Sequence, residues 1–173
     1  MVSVNISTGF LEQHGFVSTV KDLIDELGFN PSALVLEVSE SGLMTDASSN
    51  ADRLQQLREL GVRISVDDYG TGYSSLSYLR KLPIDFVKLD RQFVASVDTN
   101  EKNQAIARSV MALTSDLGMQ SIIEGVERAE EHAWLTANGA DFLQGYFLGA
   151  PIDAIDALKL FEDEVLQYER SAV

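Results

Sequence analysis

Two adjacent carboxylates, Asp67 and Asp68, end an apolar segment and precede a loop that contains two glycines, in the stretch SVDDYGTGYSS. The lead-in GVRI is typical of a buried strand. Neighbouring side chains on a strand point to opposite faces, but a backbone that turns at the strand end can direct both to one site. Gly70 and Gly72 permit that turn and leave room for a ligand. The pair therefore predicts a charged site at the end of a strand.

Polar side chains also stand near the carboxyl end of every other predicted strand. They are Asn5, Glu37, Lys88, Glu124 with Glu127 just behind it, and Gln144. Active sites of parallel α/β folds are built at that edge. Each residue alone has a simpler explanation, because an aspartate can cap a helix, a lysine can form a salt bridge and a glutamine can bind loop backbone. Their occurrence on six strands favours a shared site.

The chemistry of this set favours a divalent cation. Converging carboxylates repel one another and resist burial unless a cation compensates them. Amide and carboxylate oxygens suit Mg²⁺ or Mn²⁺ and argue against zinc. The aspartate pair, with Glu37 and Glu124, could bridge two ions about 4 Å apart, which would polarise a phosphoryl group and generate hydroxide. Lys88 could orient that hydroxide or stabilise negative charge, so the pattern indicates phosphoester hydrolysis.

Strands and helices alternate along the chain, which predicts a parallel sheet and an α/β fold. Strands are predicted at Val2–Ile6, Leu34–Val38, Val62–Asp67, Ile84–Asp90, Gln120–Gly125 and Asp141–Gly145. Helices are predicted at Phe10–Leu27, Asp46–Leu60, Ser74–Leu82, Lys102–Leu117, Arg128–Asn138 and Ile152–Tyr168. Six strands make an open sheet or most of an eight-stranded barrel. A complete barrel needs about 250 residues, so this chain is roughly two β/α units short of one.

Composition narrows the class of protein. The chain has 173 residues, enough for one domain, with 13 basic and 27 acidic residues and a net charge of −14. That charge opposes non-specific binding to DNA, which needs lysine and arginine. No apolar run reaches the roughly 18 residues of a membrane helix, and no secretory signal is visible, so no membrane contact is expected. There are no cysteines, which excludes disulfides and fits the cytoplasm. The absence of GxGxxG after the first strand leaves a dinucleotide site without support.

Five segments, in order along the chain, resemble motifs of the EAL domain family. They are SVNIS, LEVSES, VDDYGTGYSSLSYLRKLPIDFVKLDRQFV, IIEGVER and DFLQGYFLGAPI. That family comprises bacterial signalling phosphodiesterases that linearise cyclic di-GMP. The resemblance covers nearly the whole chain and implies a (β/α)8 TIM-like barrel, here incomplete, with about six of the β/α units. It further implies a single EAL-type domain over residues 1–173 that lacks its N-terminal β/α units, and hydrolysis of cyclic di-GMP to linear pGpG.

The resemblance assigns a two-ion site for Mg²⁺ or Mn²⁺. Asn5, Glu37 and Asp67 match ligands of the first ion, and Asp67 also matches the bridging position. Asp68 and Glu124 match ligands of the second ion.

The resemblance also assigns residues that act on water, substrate and the loop. Glu124 matches the proposed base and Lys88 the lysine that holds the attacking water. Gln144 matches a residue near the water and the substrate phosphate. Glu40 matches the glutamate that anchors the DDYGTG loop. Two further acidic residues match a supporting and an outer position: Glu127 and Asp90.

One departure from the family pattern is large. The family's Glu-Ala-Leu stretch, whose glutamate binds the first ion, is absent from this sequence, as is the substrate-binding arginine that follows it. The enzyme reading therefore stands beside a regulatory module that binds cyclic di-GMP or a protein partner, and beside a fragment of a longer protein. A barrel of the enolase type is disfavoured by the adjacent aspartates and the order of the motifs. An open partial barrel exposes edge strands and apolar side chains, so a homodimer or association with missing parent domains is expected.

Overall fold

A computed structural model describes residues 1–44, 47–71 and 79–160, and these residues form one six-stranded parallel sheet. The strands are β1 (Val2–Ile6), β2 (Leu34–Ser39), β3 (Arg63–Tyr69), β4 (Phe86–Leu89), β5 (Gln120–Ile123) and β6 (Phe142–Leu143). Each strand pairs with the next one along the chain. Parallel neighbours require crossover connections, which the intervening helices provide for most pairs. The predicted α/β fold and incomplete barrel are confirmed.

The helices are α1 (Thr8–Leu11), α2 (Phe16–Leu27), α3 (Glu40–Met44), α4 (Ala47–Glu59), α5 (Glu101–Asp116) and α6 (Ala129–Ala137). Residues 154–160 are also helical, and 3₁₀ turns occupy Pro31–Ala33 and Arg91–Phe93. Two predicted helices fall partly outside the described residues, Ser74–Leu82 over residues 74–78 and Ile152–Tyr168 over residues 161–168. The predicted helix start at Asp46 also lies outside them.

The first predicted helix, Phe10–Leu27, is two helices in the structure. Ser7 caps α1, and its side chain accepts a hydrogen bond from the Phe10 N–H. Gly15 then adopts a left-handed conformation with φ of 86° and precedes α2. A residue with a side chain is disfavoured in that conformation, so the glycine permits the break that the apolar spacing alone did not reveal.

One face of the sheet packs against the helices. Strand residues such as Leu36 and Leu89 join a large buried core with helix residues such as Leu54 and Val110. Burying aliphatic side chains of this kind stabilises a fold by about 1.5–3 kcal/mol each. The helix-packed face therefore holds most of the apolar core and keeps the strands at fixed positions.

The opposite, inner face of the sheet carries polar side chains above a small apolar layer. This layer is a separate buried cluster that consists of Val35, Phe86 and Ile122. Side chains alternate along a strand, so Glu37, Lys88 and Glu124 share the inner face with the cluster residues two positions earlier. The apolar layer therefore closes the site from below, and the polar row stands at the carboxyl edge.

Candidate active site

Lys88 is the centre of the polar row. Its ammonium lies 2.6 Å from Glu37 Oε2, 3.2 Å from Asp67 Oδ1 and 2.5 Å from Glu124 Oε1. The lysine is only 4% exposed and comes from β4, between the strands that carry these carboxylates. Burial opposes its charge, but hydrogen bonds and the charges of Glu124 and Glu37 outweigh burial and raise the Lys88 pKa. The lysine is therefore a cation held by three carboxylates.

Asn5 belongs to the same row through strand pairing. It is the register partner of Glu37 between β1 and β2, and the next inner residue across the sheet is Ser65. The Ser65 hydroxyl is buried and has no hydrogen-bond partner among the described residues. Asn5 itself is exposed because β1 is an edge strand of the described sheet. The structure therefore brings the Asn5 backbone beside Glu37 without enclosing its side chain.

The two adjacent aspartates lie in a bulge of β3. The register with β4 shifts between Val66 and Tyr69, and Asp68 takes a left-handed conformation with φ of 56°. The Asp68 N–H donates to Asp67 Oδ1 at 3.0 Å. Bulges redirect side chains and are common beside active sites. This bulge explains how two adjacent carboxylates stay near one edge of the sheet.

The Asp68 carboxyl has a raised pKa. Burial is the largest cause, followed by the charges of Asp67 and Asp90, and Lys88 offsets only part of the effect. The loop that follows is tied to α3, because the Gly70 N–H donates to Glu40 Oε2 at 3.1 Å. Glu40 is itself buried. Of the predicted loop, residues 72–78 lie outside the described residues.

Glu124 follows β5 and faces the lysine. Burial raises the pKa of its carboxyl, and the charges of Asp67 and Glu37 add to the increase, although the hydrogen bond and charge of Lys88 oppose it. A carboxyl with a raised pKa accepts a proton more readily than an ordinary one. Perturbed groups of this kind in a cleft are candidates for acid–base chemistry.

A cavity of about 220 Å³ opens beside Glu124. Its lining includes Gln144, Glu127, Arg91 and Tyr146. The Gln144 backbone is fixed on both sides, since its N–H donates to the Ile123 carbonyl and its carbonyl accepts from the Val126 N–H. Asp90 lies outside this cavity lining and caps the adjoining 3₁₀ turn, where it accepts from the Gln92 N–H at 2.8 Å. The cavity therefore offers a ligand direct access to Glu124.

Sequence reasoning did not select Arg91, which lines this cavity, or Glu131, which lines a second cavity that shares Arg91 and Glu127 with it. Arg91 follows Asp90 directly and lines the cavity, so its position next to a strand-end residue was an available signal. Glu131 lies in the first turn of α6 and binds backbone N–H groups of two loops. Its only sequence signal is an acidic residue at the start of a helix, which is common and carries no functional meaning alone.

The donor set suits a divalent cation in its chemistry and charge. Three carboxylate oxygens surround a single ammonium, so the cluster keeps a negative excess that Mg²⁺ or Mn²⁺ would offset. In the part of the chain that the structure describes, no group of three or more acidic or histidine side chains is arranged to hold a metal ion. The described carboxylates are gathered around Lys88 instead.

The fold and this edge together define a β/α-barrel protein with an acidic, lysine-centred site at the carboxyl ends of its strands. The EAL domain family model matches residues 1–151. The chain therefore belongs to the EAL domain family, in agreement with the resemblance of its motifs.

Similar proteins and structures are consistent with that membership. The cyclic di-GMP phosphodiesterase NbdA of Pseudomonas aeruginosa is 37% identical over 151 residues, which are 87% of this chain and 19% of NbdA. The cyclic di-GMP complex of the PaMucR phosphodiesterase has a TM-score of 0.85 at 39% identity, over 90% of this chain and 63% of that one. The manganese and cyclic di-GMP complex of Klebsiella pneumoniae BlrP1 has a TM-score of 0.77 at 32% identity, over 83% of this chain and 37% of BlrP1.

The chain spans about a fifth of the length of the curated relatives that it matches. Among the described residues, no helix combines the length and apolar character that crossing a bilayer requires.

Proposed function

We propose that this chain hydrolyses one phosphodiester bond of cyclic di-GMP to give linear pGpG. The observation that carries the proposal is the contact of one buried ammonium with three carboxylates at the carboxyl edge of the strands. Active sites of this fold class lie at that edge. Similar proteins named cyclic di-GMP phosphodiesterases, and solved complexes with that nucleotide, support the choice of substrate.

The proposed reaction adds one water molecule across a phosphorus–oxygen bond. Glu124 accepts a proton from the attacking water, a role that its raised pKa favours. The Lys88 ammonium holds that water and stabilises negative charge on the phosphoryl oxygens. The bond from phosphorus to the 3′ oxygen breaks, and that oxygen takes a proton, which leaves a 5′ phosphate and a 3′ hydroxyl. Gln144 is proposed to contact the substrate phosphate from the neighbouring cavity wall.

The residues proposed to hold two Mg²⁺ or Mn²⁺ ions are Asn5, Glu37, Asp67, Asp68 and Glu124. When bound, the ions would neutralise the phosphoryl group and lower the pKa of water. A homologue solved with manganese and cyclic di-GMP supports the use of a divalent ion.

Three further acidic residues are proposed to support the site. Glu40 anchors the loop after β3 through its bond from the Gly70 N–H. Asp90 shapes the turn after β4 through its cap. Glu127 lines the cavity beside Glu124, and its N–H donates to Glu131. These residues would fix the loops from which substrate is contacted.

A regulatory module that binds cyclic di-GMP or a protein partner without hydrolysing it is the second candidate. The observation that favours it is the contact of Lys88 with Glu37, Asp67 and Glu124, while no group among the described residues is arranged to hold a metal ion.

An apolar groove of about 380 Å³ between β1 and α2 is a proposed contact surface. Its lining includes Val4, Phe10, Leu23 and Leu27, and Leu27 is 74% exposed. Exposed apolar surface of this extent marks interaction sites. A second copy of the chain or other parts of a longer protein would cover it. Analytical ultracentrifugation of the wild-type chain and of Leu27→Lys tests whether a homodimer forms. We expect the wild type to sediment as a dimer and the substitution to weaken that dimer.

The function is tested by incubating the chain with cyclic di-GMP and Mn²⁺ or Mg²⁺ and separating the products by anion-exchange chromatography. Calorimetric titration with the nucleotide, with Ca²⁺ in place of Mn²⁺, runs in parallel. Accumulation of pGpG supports the phosphodiesterase. Binding without pGpG supports a regulatory module that binds the nucleotide. Neither binding nor pGpG contradicts both functions that involve cyclic di-GMP and favours a fragment of a longer protein.

A further inference from the structure

Glu131 joins two loops of the site with one buried side chain. Its Oε1 accepts from the Ser96 N–H at 2.9 Å, in the loop after β4. Its Oε2 accepts from the N–H groups of Glu127 and Arg128, at 3.1 Å each, in the loop after β5. Glu131 is only 4% exposed. A buried carboxylate with several backbone donors is an unusually strong tie between two segments.

The loop after β4 depends on this tie. Ser96 adopts a left-handed conformation with φ of 55°, which is uncommon for a residue with a side chain. Its carbonyl accepts from the N–H groups of Thr99 and Asn100, at 3.0 and 2.8 Å. Strained backbone of this kind persists only where surrounding contacts fix it. The bond from the Ser96 N–H to Glu131 is one of those contacts.

The loop after β5 is packed tightly between its neighbours. Gly125 has φ of 74°, and a Cβ at this position would overlap the Cβ of Arg91. The Val126 N–H donates to the Gln144 carbonyl at 3.1 Å. On the other side, the Glu124 N–H donates to the Leu89 carbonyl at 3.1 Å. Movement of this loop would therefore shift Glu124 relative to β4.

The Arg128 guanidinium adds charged hydrogen bonds to Glu131. Its Nε and one terminal nitrogen each lie 3.2 Å from Glu131 Oε1, and the same terminal nitrogen contacts Asp98. Burial alone would raise the Glu131 pKa, but the bonds from Ser96, Glu127 and Arg128 together lower it. The carboxylate form is thus the one that fits between the two loops.

We propose that Glu131 is a positioning residue for Glu124, acting by fixing the loop after β5 against the loop after β4. Glu131 has no contact with Lys88 or with the three carboxylates that surround it, so its effect on the reaction runs through the backbone. The inference rests on the proposed role of Glu124 as proton acceptor. It adds a residue that the strand-end pattern does not contain.

Amide hydrogen exchange tests the tie without any need for turnover. The variants are Glu131→Ala, Glu131→Gln, which keeps one acceptor oxygen, and Glu130→Gln as control. Glu130 is the adjacent residue, with its side chain 65% exposed and 3.6 Å from Arg128. We expect exchange in Glu131→Ala to rise about tenfold at the amides of Ser96, Glu124, Glu127 and Arg128, as loss of a charged acceptor implies. Amides of β1–β3 should not change, and Glu131→Gln should be intermediate.

Steady-state kinetics tests the consequence for Glu124. We expect kcat to fall about tenfold to a hundredfold in Glu131→Ala with KM nearly unchanged, because misplacement affects the reacting group more than ground-state binding. Glu131→Gln should recover part of kcat, and Glu130→Gln should match the wild type. Unchanged exchange at the four amides overturns the inference, as does faster exchange with an unchanged kcat. A wild-type chain without turnover contradicts the proposed function. The exchange result still tests whether Glu131 fixes the two loops against each other.

Discussion

The two edges of the sheet use carboxylates in opposite ways. At the amino edge, Asp85 precedes β4 and its Oδ2 accepts from the Ile64 N–H at 2.9 Å. Asp141 precedes β6 in the same manner and accepts from the Ser121 N–H at 2.8 Å. Each of these aspartates ties its own strand to the neighbouring one. At the carboxyl edge, Glu37 and Glu124 instead face Lys88, and their backbones are held by the strands that carry them.

The carboxylates of the two edges differ in the partners that engage their oxygens. Asp85 is engaged by a backbone N–H and by Arg58 at 3.1 Å, so both of its oxygens serve the fold. Glu124 shares one ammonium with two other carboxylates, and burial raises its pKa. A group in that state costs stability at neutral pH and gains reactivity. Barrels of this class show the same division, with stability at one end and chemistry at the other.

Removing the central cation should have the largest effect. Lys88→Met leaves three carboxylates facing one another, and breaking a buried ion pair from one side costs about 3–5 kcal/mol. We expect that loss in the free energy of unfolding by urea at pH 7 without metal. Added Mn²⁺ should restore part of it, since binding to the folded state stabilises that state.

The control for this variant is Lys21→Met. Lys21 pairs with Asp25 on the surface of α2, where solvent screens the pair, so its loss should lower the free energy of unfolding far less than the loss of Lys88. Equal losses in the two variants would show that the lysine-centred cluster contributes no more than a surface pair.

Glu124→Gln should separate reaction from stability. The variant keeps the shape of the side chain but removes the proton acceptor, so we expect pGpG formation to fall about a hundredfold or more. Lys88 keeps two carboxylates, so the free energy of unfolding should change by less than about 1 kcal/mol. A variant that unfolds more easily yet retains turnover would place Glu124 with the structural carboxylates.

Asp85→Ala should give the reverse result at the amino edge. The Ile64 N–H loses a charged acceptor, so we expect the free energy of unfolding to fall by about 2 kcal/mol. Turnover per folded molecule should stay within about twofold of the wild type, because the residue lies at the far end of the strands. Urea unfolding followed by circular dichroism measures the stability, and full retention of stability would remove the contrast between the edges.

The pH dependence of stability should show a smaller effect, from Glu131. Its pKa in the folded state is lowered, so its contribution is complete above the ordinary glutamate pKa and is lost as pH falls through the folded value. We expect the free energy of unfolding to fall less steeply below about pH 4.5 in Glu131→Gln than in the wild type. Glu130→Gln, which alters an exposed neighbour, should keep the wild-type slope. Identical slopes in all three proteins would refute this contribution.

The sequence predicted the sheet well because short apolar runs and glycine stops are local signals. The strands lie within about two residues of their predicted limits, and the residues around Lys88 come from the predicted strand ends. The break at Gly15 was missed because the apolar spacing continues across it. The β3 bulge and the bonds of Glu131 depend on contacts between distant segments, which no local pattern encodes.

The most direct test compares pGpG formation by Glu124→Gln and Asp85→Ala with that of the wild type, at saturating cyclic di-GMP and Mn²⁺ and at equal folded fractions. The division of the two edges predicts that the wild type and Asp85→Ala release pGpG at similar rates while Glu124→Gln releases almost none. Equal rates in the two variants, or no pGpG from the folded wild type, would contradict it.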